Sequence, residues 1–311
     1  MNRVIYKLDF KTGVHFGNGS LSDTVSTFQA DTLFSALCIE AVRMGGDEKI
    51  NKFVDYVKEN KIKFSDSFPY IDNMFFIPKP FKPLEIKKES DGNSKEKKAY
   101  KKLKYLPIDE LENYFKGELD VININKEIAK LGINEERNVV AVRKNKDSEP
   151  YHIGIYKFSD NAGLYIIAEF ENDVCKKEFD ELFKSLSYTG IGGKVSSGLG
   201  KFSIIEEKIP KELNKKIENA KKAKQKMTLS ICLPKDDELD SVLENAHYRV
   251  EKRSGFVSSE TYSDSAIRKK DFYAIEAGAC FEKAFEGSIV DVSINGKHPV
   301  YRYAKPLFME V

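Results

Sequence analysis

Apolar and polar positions alternate at the start of the chain and then take up a helical spacing. The segment RVIYKLDF (3–10) alternates, which predicts a strand. Residues 30–46 carry apolar side chains near helical spacing and end on Gly45 and Gly46, which predicts a helix that stops at the two glycines. Asp31 lies at the start of this helix, where an aspartate is expected to act as a cap.

Further strands and a second helix follow in the middle of the chain. The segments NVVAV, YHIGIYKF and LYIIAEF, within residues 137–170, predict two or three strands separated by turn residues. Residues 175–190 predict an amphipathic helix, because its apolar side chains recur on one face: Phe179, Leu182, Phe183 and Leu186. The strand KFSIIEE comes next. The order is β-α-β-β-α-β with insertions, which is typical of a ferredoxin-like fold.

The C-terminal part of the chain predicts a second, smaller domain. Residues 208–226 predict a lysine-rich helical linker, and the segments after it contain one short helix and several strands separated by glycines. We therefore predict an α+β protein with two ferredoxin-like (RRM-like) domains, the second smaller and strand-heavy, with insertions in the first. The predicted boundaries are 1–207 and 208–311. No sequence repeat relates the two halves, so their duplication is a hypothesis.

Charge is segregated along the chain although the net charge is small. The 311 residues carry a formal charge of +2, so the molecule as a whole is not a polycation. Residues 82–104 contain nine lysines against four acidic residues, and residues 208–226 contain eight against two. Such runs are either solvated surface or contacts to nucleic acid. An RNA-binding surface would therefore be local.

Cysteines and histidines are scattered and predict neither a metal site nor another cofactor. The cysteines lie in apolar segments without a CxxC pair, which indicates buried free thiols: Cys38, Cys175, Cys232 and Cys280. The histidines show no metal-ligand spacing: His15, His152, His247 and His298. Neither a long apolar run nor a signal-like start occurs, so we expect a cytoplasmic protein with no membrane partner.

The most informative motif is the glycine-rich segment TGIGGKVSSGLGKF at 189–202. It lacks the spacing of a P-loop, and it leads from a helix into a strand, the reverse of a dinucleotide fingerprint. Glycines can turn successive backbone N–H groups toward a polyanion. We predict that this glycine loop (189–201) binds a phosphodiester backbone through Gly192, Gly193, Lys194, Ser196, Ser197, Gly198 and Gly200. The alternative is a plain turn between a helix and a strand.

The segment VHFGNG (14–19) has the composition of an RNA-binding loop. An imidazole and an aromatic ring stand beside glycines, as where bases stack and backbone N–H groups meet phosphates, so His15, Phe16 and Gly17 are candidate RNA contacts. Alternatively, His15 could be the general acid or base of a metal-independent ribonuclease. That chemistry needs a partner such as Tyr6 or Lys7, and the sequence does not show which way these side chains point.

The segment KRSGF (252–256) repeats the combination of base, serine, glycine and aromatic residue. Arg253, Ser254, Gly255 and Phe256 are therefore candidate RNA contacts, the alternative being an exposed strand end. The sequence contains no paired carboxylates at helical spacing, no GxSxG motif and no reactive-looking cysteine beside a histidine. The sequence thus offers few candidate catalytic residues.

Five segments carry a family resemblance in the same order along the chain: HFGNGSLSDTVSTFQADTLFSAL, FIPKP, GIGGKVSSGLGKF, SGF and YAKPLF. Together they resemble the repeat-associated mysterious protein (RAMP) superfamily of CRISPR systems. FIPKP and YAKPLF narrow the resemblance to the fourth subunit of the Csm effector complex of type III-A. The segments run from near Met1 to near Val311, so the resemblance covers essentially the whole chain.

The resemblance implies two ferredoxin-like domains and a non-catalytic role in holding the repeat-derived 5′ tag of a guide RNA. The implied partners are the guide RNA, the large polymerase-type Csm subunit and the backbone RAMP subunit, with target RNA as an indirect partner. A thumb-like hairpin that wedges the guide–target duplex is implied within residues 82–150. The glycine loop, His15 and Phe16 match RNA-contacting segments of the family. Target-cleaving aspartates belong to a neighbouring subunit type, so Asp31 receives no catalytic role.

The chain departs from RNA-recognition modules in one respect. The aromatic consensus of their central strands is absent, so loops rather than a sheet face are expected to bind RNA. Two other functions stay open at this point. One is a metal-independent endoribonuclease that processes precursor CRISPR RNA, and the other is a protein adaptor without RNA contact.

Overall fold

The computed structural model describes residues 1–83, 94–141, 149–259 and 261–311. Its strands are β1 (Asn2–Phe10), β2 (Phe16–Gly17), β3 (Thr24–Val25), β4 (Ile62–Phe64), β5 (Phe68–Ile71), β6 (Met74–Pro78), β7 (Tyr105–Pro107), β8 (Gly132–Ala141), β9 (Glu149–Phe158), β10 (Ala162–Phe170), β11 (Phe202–Glu207), β12 (Lys226–Thr228), β13 (Val250–Arg253), β14 (Phe272–Ile275), β15 (Cys280–Phe281), β16 (Ser288–Asp291), β17 (Tyr301–Ala304) and β18 (Phe308–Glu310). Its helices are α1 (Ala30–Lys58), α2 (Ser94–Lys102), α3 (Leu111–Lys116), α4 (Val121–Ile128), α5 (Asp173–Thr189), α6 (Lys211–Asn219) and α7 (Leu239–Leu243).

A seven-stranded antiparallel sheet forms the centre of the N-terminal part. Its strand order is β11-β1-β10-β5-β6-β7, and β4 also pairs with β10. The central strand β1 sets Leu8 opposite Leu164 of β10 on one side and opposite Ile204 of β11 on the other. The strands at the two ends of the predicted β-α-β-β-α-β unit therefore lie side by side. The fold is a mixed α/β architecture built on antiparallel sheets.

The two faces of this sheet bury different hydrophobic cores. Tyr6 and Leu8 of β1 belong to the core shared with α1 and α5, whereas Ile5 faces the opposite way. The second core also contains Leu213 and Ile217 of α6. Because side chains of a strand alternate between faces, β1 and β10 join both cores. This double burial fixes the position of the loops that leave the sheet.

Helix α1 continues past the predicted stop. It spans Ala30–Lys58, and only Gly45 and Gly46 depart from helical backbone angles, with φ of −156° and +62°. The helix resumes after this kink because Phe53 and Val57 are buried in the same core as its first half. The prediction that the glycines end the helix was wrong, since tertiary burial outweighs their helix-breaking preference.

Helix α5 matches its prediction closely. It spans Asp173–Thr189, and the Asn172 side chain accepts a hydrogen bond from the Cys175 N–H at the N-terminus. The predicted apolar face is buried. The lysine-rich linker is less helical than predicted, because α6 covers Lys211–Asn219 and the chain then turns toward β12.

A long hairpin projects from the N-terminal part. Strands β8 and β9 pair over ten residues each, from Gly132 opposite Phe158 to Ala141 opposite Glu149. The predicted thumb interval 82–150 contains β8, but β9 runs beyond it. Parts of that interval, 84–93 and 142–148, lie outside the described residues.

The C-terminal part contains several small antiparallel units. These are the three-stranded sheet β15-β12-β18 and the pairs β13-β14 and β16-β17. Its Tyr303 stacks on Phe64 of the N-terminal part with ring centroids 4.5 Å apart, so the two parts share one core. All four cysteines are free thiols, and all except the half-buried Cys38 are buried, as predicted. Within the described ranges, every helix is too short or too polar to cross a membrane.

Candidate nucleic-acid interface

The base of the glycine loop is buried, and its amides are already hydrogen-bonded within the chain. The Gly193 N–H donates to the His15 carbonyl at 2.8 Å, the Gly200 N–H to the Gly13 carbonyl at 2.9 Å, and the Gly198 N–H to the Val195 carbonyl at 2.9 Å. These three amides are not available to a phosphate in this conformation. Gly193 and Gly200 use their amides to pack the loop on residues 13–15, and Gly198 uses its amide within the loop. RNA contact at these three glycines stays a prediction.

The tip of the glycine loop remains exposed. Lys194 adopts a left-handed conformation with φ of +61°, and a 3₁₀ turn follows at Val195–Ser197. Among the described residues, no acceptor is recorded for the N–H groups of Lys194, Val195 and Ser196. Gly192, Ser196 and Ser197 are exposed. Any main-chain contact to phosphate is thus expected at this tip and not along the whole loop.

Two glycines of the loop provide a matched test of this packing. Gly198 and Gly200 have similar φ values of +85° and +79°, but only a Cβ at Gly200 would approach a backbone atom, the Ile191 carbonyl oxygen at 2.2 Å. We expect Gly198→Ala to lower the free energy of unfolding by about 1–2 kcal/mol through backbone strain alone. Gly200→Ala should cost roughly 1–3 kcal/mol more, because of the clash. Urea unfolding followed by circular dichroism checks both, and equal costs would contradict the packed geometry.

His15 and Phe16 are buried beneath the glycine loop. His15 is 5% exposed, and its Nδ1 lies 2.7 Å from the carbonyl oxygen of Gly154, which makes Nδ1 the donor. Phe16 packs edge-on against Phe28 in the core. RNA contact at His15 and Phe16 stays a prediction, and it would have to use their main-chain atoms, because both side chains are enclosed by protein. Of the three residues predicted in this loop, only Gly17 is exposed.

The segment VHFGNG (14–19), which we call the first loop, forms one packed unit with the glycine loop and the base of the β8-β9 hairpin. Val14 forms an isolated β-bridge with Tyr156 of β9, and Leu199 of the glycine loop packs with Ile153 and Ile155. The Lys194 ammonium lies 5.3 Å from the centre of the Tyr151 ring on the same hairpin. Because His15 contacts both the hairpin and the loop, it acts as a positioning residue.

A cleft of about 620 Å³ opens between the N-terminal and C-terminal parts. The first loop contributes Gly17 and Asn18 to its wall. Three basic side chains line it with neither an ion pair nor a hydrogen bond among the described residues: Lys101, Lys104 and Arg249. A fourth, Lys79, donates to the Tyr100 carbonyl at 3.0 Å. The Arg249 guanidinium lies 4.9 Å from the centre of the Phe81 ring. A groove with free cations and an aromatic ring is suited to a single-stranded nucleic acid.

Arg253 lines the cleft and forms an ion pair with a buried carboxylate. Its guanidinium donates to the two carboxylate oxygens of Asp31 at 2.9 and 3.0 Å, and Arg302 donates to the same carboxylate. Asp31 is fully buried, whereas Gln29 occupies the N-cap position of α1. Burial alone would raise the pKa of Asp31, but the two guanidiniums hold it below its ordinary value. The capping role predicted for Asp31 is corrected, and RNA contact at Arg253 stays a prediction.

The remaining KRSGF residues stay accessible. Ser254 is exposed, although its carbonyl accepts a hydrogen bond from Arg302 at 2.9 Å. Phe256 is 58% exposed, and the Arg268 guanidinium lies 5.9 Å from its ring centre. Gly255 has a φ of +134°, and its carbonyl accepts from the Lys269 N–H. RNA contact at these three positions stays a prediction.

Asp66 lies at the wall of the cleft, and its carboxyl group has a raised pKa. Its Oδ1 accepts hydrogen bonds from the N–H groups of Ala30 at 2.8 Å and Ile231 at 2.9 Å. Burial dominates over these bonds and raises the pKa of Asp66 to about 7. The folded protein therefore holds a proton on Asp66 between about pH 4 and pH 7 that the unfolded chain releases.

This proton makes stability depend on pH. Because the folded state binds the extra proton, raising the pH from 5 to 7 should lower the wild-type free energy of unfolding by roughly 1 kcal/mol per pH unit from this group. Asp66→Asn keeps an acceptor for both N–H groups but cannot ionise. We expect the variant to gain stability relative to wild type over this interval, measured by urea unfolding at each pH. If the difference in the free energy of unfolding between Asp66→Asn and wild type does not change with pH, the raised pKa of Asp66 is contradicted.

The described residues contain no group of three or more histidine, cysteine, aspartate or glutamate side chains arranged to hold a metal ion. The His152 ring lies on the exposed hairpin beside Asn138, far along the chain from the buried His15. The groups of the candidate interface described above are basic side chains, backbone amides and aromatic rings.

Comparison with known protein families matches both parts of the chain. A model of the RAMP superfamily matches residues 7–203, and a model of the CRISPR Csm4 C-terminal domain matches residues 221–311. A protein of Mycobacterium tuberculosis named CRISPR system Cms protein Csm4 is 37% identical over 313 residues, covering 99% of this chain and 98% of the relative. The chain belongs to the Csm4 family of the RAMP superfamily. A Streptococcus thermophilus protein of the same name is 36% identical and covers 98% of this chain and 99% of its own.

Solved structures with low sequence identity share the fold. The Csm4-family chain is similar to a chain of the crystal structure of a Csm3-Csm4 subcomplex of the type III-A interference complex, with a TM-score of 0.68 and 19% identity. That match covers 100% of this chain and 99% of the other. A Csm1-Csm4 cassette in complex with cA4 gives a TM-score of 0.61 at 19% identity, covering 100% and 98%.

Sequence reasoning missed several residues of the cleft in this Csm4-family chain. Lys101 and Lys104 lay within a recognised lysine run, but nothing singled them out from its other lysines. Arg249 and Asp66 carried no signal, because each acquires its place only when the C-terminal part packs on the N-terminal sheet. An alternating pattern marks a strand and does not reveal which distant segment its end will face.

Proposed function

We propose that this chain is a non-catalytic RNA-binding subunit of a type III-A CRISPR (Csm) interference complex and that it holds the 5′ repeat-derived tag of the guide RNA. Membership of the Csm4 family supports this function. The observation that carries the RNA-binding role is the cleft with three unpaired basic side chains beside the first loop: Lys101, Lys104 and Arg249.

The exposed tip of the glycine loop and the cleft form the proposed path of the RNA. They adjoin through the first loop, because a Cβ at either Gly17 or Gly193 would meet the ring of His15. Free amides at Lys194 and Ser196 and the ammonium of Lys194 would meet phosphates, while the cleft cations would meet the adjoining nucleotides. Ser254, Gly255 and Phe256 are proposed as further contacts.

We propose that the fold comprises two ferredoxin-like domains, residues 1–207 and 208–311. In the first, the strand order β11-β1-β10-β5 combines with α1 and α5 in the sequence that this fold requires. The second would be a reduced version around the sheet β15-β12-β18. The β8-β9 hairpin is the proposed thumb against the guide–target duplex, and its exposed Ile133 and Val140 suit a wedge.

The proposed protein partners follow from the solved relatives. One is described in a subcomplex with Csm3 and another in a cassette with Csm1. We propose that this chain likewise docks a backbone RAMP subunit and the large polymerase-type subunit, and contacts target RNA indirectly. A non-catalytic role in the cytoplasm is part of the same proposal. Burial of His15 deprives the ribonuclease alternative of its named base.

Co-purification tests the proposed function. The chain is expressed with its genomic neighbours, and RNA extracted from the purified complex is sequenced. A discrete small RNA with a constant 5′ end is the expected result, and a complex that carries no RNA would contradict the proposal. Incubation of the purified chain with repeat RNA in EDTA tests the non-catalytic part. A cleavage product that disappears in His15→Ala would favour the endoribonuclease.

A further inference from the structure

The lining of the cleft contains three carboxylates beside its basic side chains. We call Asp66, Glu251 and Glu276 the acidic end of the cleft. Asp66 is only 6% exposed, and its Oδ1 is saturated by two backbone N–H groups. Its Oδ2 has no hydrogen-bond partner among the residues that the structure describes. A buried carboxylate with one vacant oxygen at a cleft wall is suited to receive a donor from a ligand.

Glu251 and Glu276, the other two carboxylates, differ in whether they already accept hydrogen bonds within the protein. Glu251 accepts from the Gln29 side chain at 3.1 Å and from Arg253 at 3.3 Å, so it is held in place. Glu276 has no hydrogen bond to its carboxylate within the described ranges. Burial, followed by the nearby charge of Glu251, raises its pKa above the ordinary value. Glu276 is therefore a second vacant acceptor.

Tyr105 lines the same cleft as the three carboxylates. Its hydroxyl is 2.9 Å from the Thr27 hydroxyl. Burial is the main reason that the pKa of Tyr105 rises to about 12, and the charges of Asp66, Glu251 and Glu276 add to it. The acidic end thus combines two vacant acceptors with a tyrosine ring, all reachable from the same cleft.

Basic side chains lie next to these acceptors. Arg249 and Lys104 line the same cleft as Glu276, and their charges oppose the rise in its pKa. A ligand that matches this lining carries both an amino donor and an anionic group. A nucleotide whose base bears an exocyclic amine has both, since the amine lies on the edge of the base and the phosphate lies beyond the sugar.

We propose that the acidic end of the cleft binds the exocyclic amino group of an unstacked nucleobase, and that Asp66 and Glu276 discriminate adenine, cytosine and guanine from uracil. This inference rests on the proposed RNA-binding function and adds the class of base that the site accepts. Carboxylates accept hydrogen bonds from base amino groups. Uracil has no amino group, and its one N–H on the pairing edge lies between two carbonyl oxygens that carboxylates repel. The base would pack beside Tyr105.

A lysine or arginine side chain of a partner protein is the competing occupant of a carboxylate pocket. The lining disfavours it, because Lys101, Lys104 and Arg249 would repel a second cation entering the same cleft. The nucleotide is favoured because the cations that repel a basic side chain attract its phosphate.

The test compares two RNA octamers that differ only in the amino group. One is made of adenosine and the other of purine riboside, which is adenosine without the 6-amino group. Their dissociation constants for the full chain are measured by fluorescence anisotropy at pH 8, where Asp66 is ionised. We expect the adenosine octamer to bind roughly tenfold more tightly. Equal binding would overturn the inference and leave the proposed function standing, whereas no binding of either octamer would overturn both.

Variants identify the residues responsible. Asp66→Asn and Glu276→Gln should each reduce the preference for adenosine to within about threefold and leave the affinity for purine riboside nearly unchanged. Glu212→Gln removes an exposed carboxylate of α6 that does not line the cleft and should keep the full preference. If Asp66→Asn and Glu276→Gln keep it as well, the acidic end does not read the base. Loss of a partner subunit from the complex in these variants, with base preference intact, would favour the cationic side chain instead.

Discussion

Replacing Asp31 with alanine is expected to lower the free energy of unfolding by about 3–5 kcal/mol, because it leaves the buried Arg302 guanidinium without a counterion and the partly buried Arg253 guanidinium with Glu251 alone. Arg253 and Arg302 both donate to the Asp31 carboxylate from the C-terminal part, and Asp31 itself is fully buried at the start of α1. Removing the anion costs more than its own interactions, since the cations remain desolvated.

Asp264→Ala provides the control for this experiment. Asp264 pairs with Lys297 at 3.3 Å on the surface, so its removal should cost less than about 1 kcal/mol. The chain has no tryptophan, so urea unfolding is followed by far-UV circular dichroism. If Asp31→Ala costs no more than Asp264→Ala, the buried ion pair does not hold the two parts together.

The same ion pair should also give acid sensitivity. Because the pKa of Asp31 is lowered in the folded state, the pair stabilises the fold above the ordinary aspartate pKa of about 3.9 and loses that contribution as the pH falls through the lower folded value. Asp31→Ala should therefore differ least from wild type at the acidic end of the titration.

Neutralising three basic residues of the proposed RNA path is expected to weaken RNA binding strongly. The variant combines Lys101→Gln, Lys104→Gln and Lys194→Gln. For single-stranded RNA, three lost phosphate contacts reduce the slope of log affinity against log salt by about 2, which corresponds to roughly fiftyfold at about 0.15 M salt. Anisotropy titrations with the adenosine octamer at several salt concentrations measure both quantities.

A second triple variant controls for overall charge. Lys215→Gln, Lys221→Gln and Lys222→Gln remove the same charge from exposed positions on and after α6, which do not line the cleft. We expect its affinity to stay within about threefold of wild type, since distant exposed charges are screened. Equal losses in the two triple variants would mean that binding follows net charge and not the proposed path.

Local patterns identified most elements of the fold. The apolar period of α5 and the asparagine that caps it lie within one short segment, so the sequence alone was sufficient to predict that helix. The glycines of α1 were misjudged because the burial of Phe53 and Val57, which carries the helix past the kink, depends on the sheet beneath it.

The composition of the sequence identified the segments of the candidate site, but it did not show which of their side chains are exposed. The glycine loop, the first loop and KRSGF were each singled out, yet the structure encloses the side chains of His15 and Phe16 and pairs the guanidinium of Arg253 with Asp31. Arg253 and Asp31 are 222 positions apart, and no local pattern reveals that they meet. The basic cleft depends on contacts of the same range.

By itself the sequence determined the family, the alternation of strands and helices and the segments that concentrate glycine and charge, because each is a property of neighbouring residues. Only the tertiary structure decided which amides, rings and cations remain free to meet a ligand. The reason is that packing satisfies polar groups between segments far apart in the chain, and a group already satisfied inside the protein has nothing left to offer outside it.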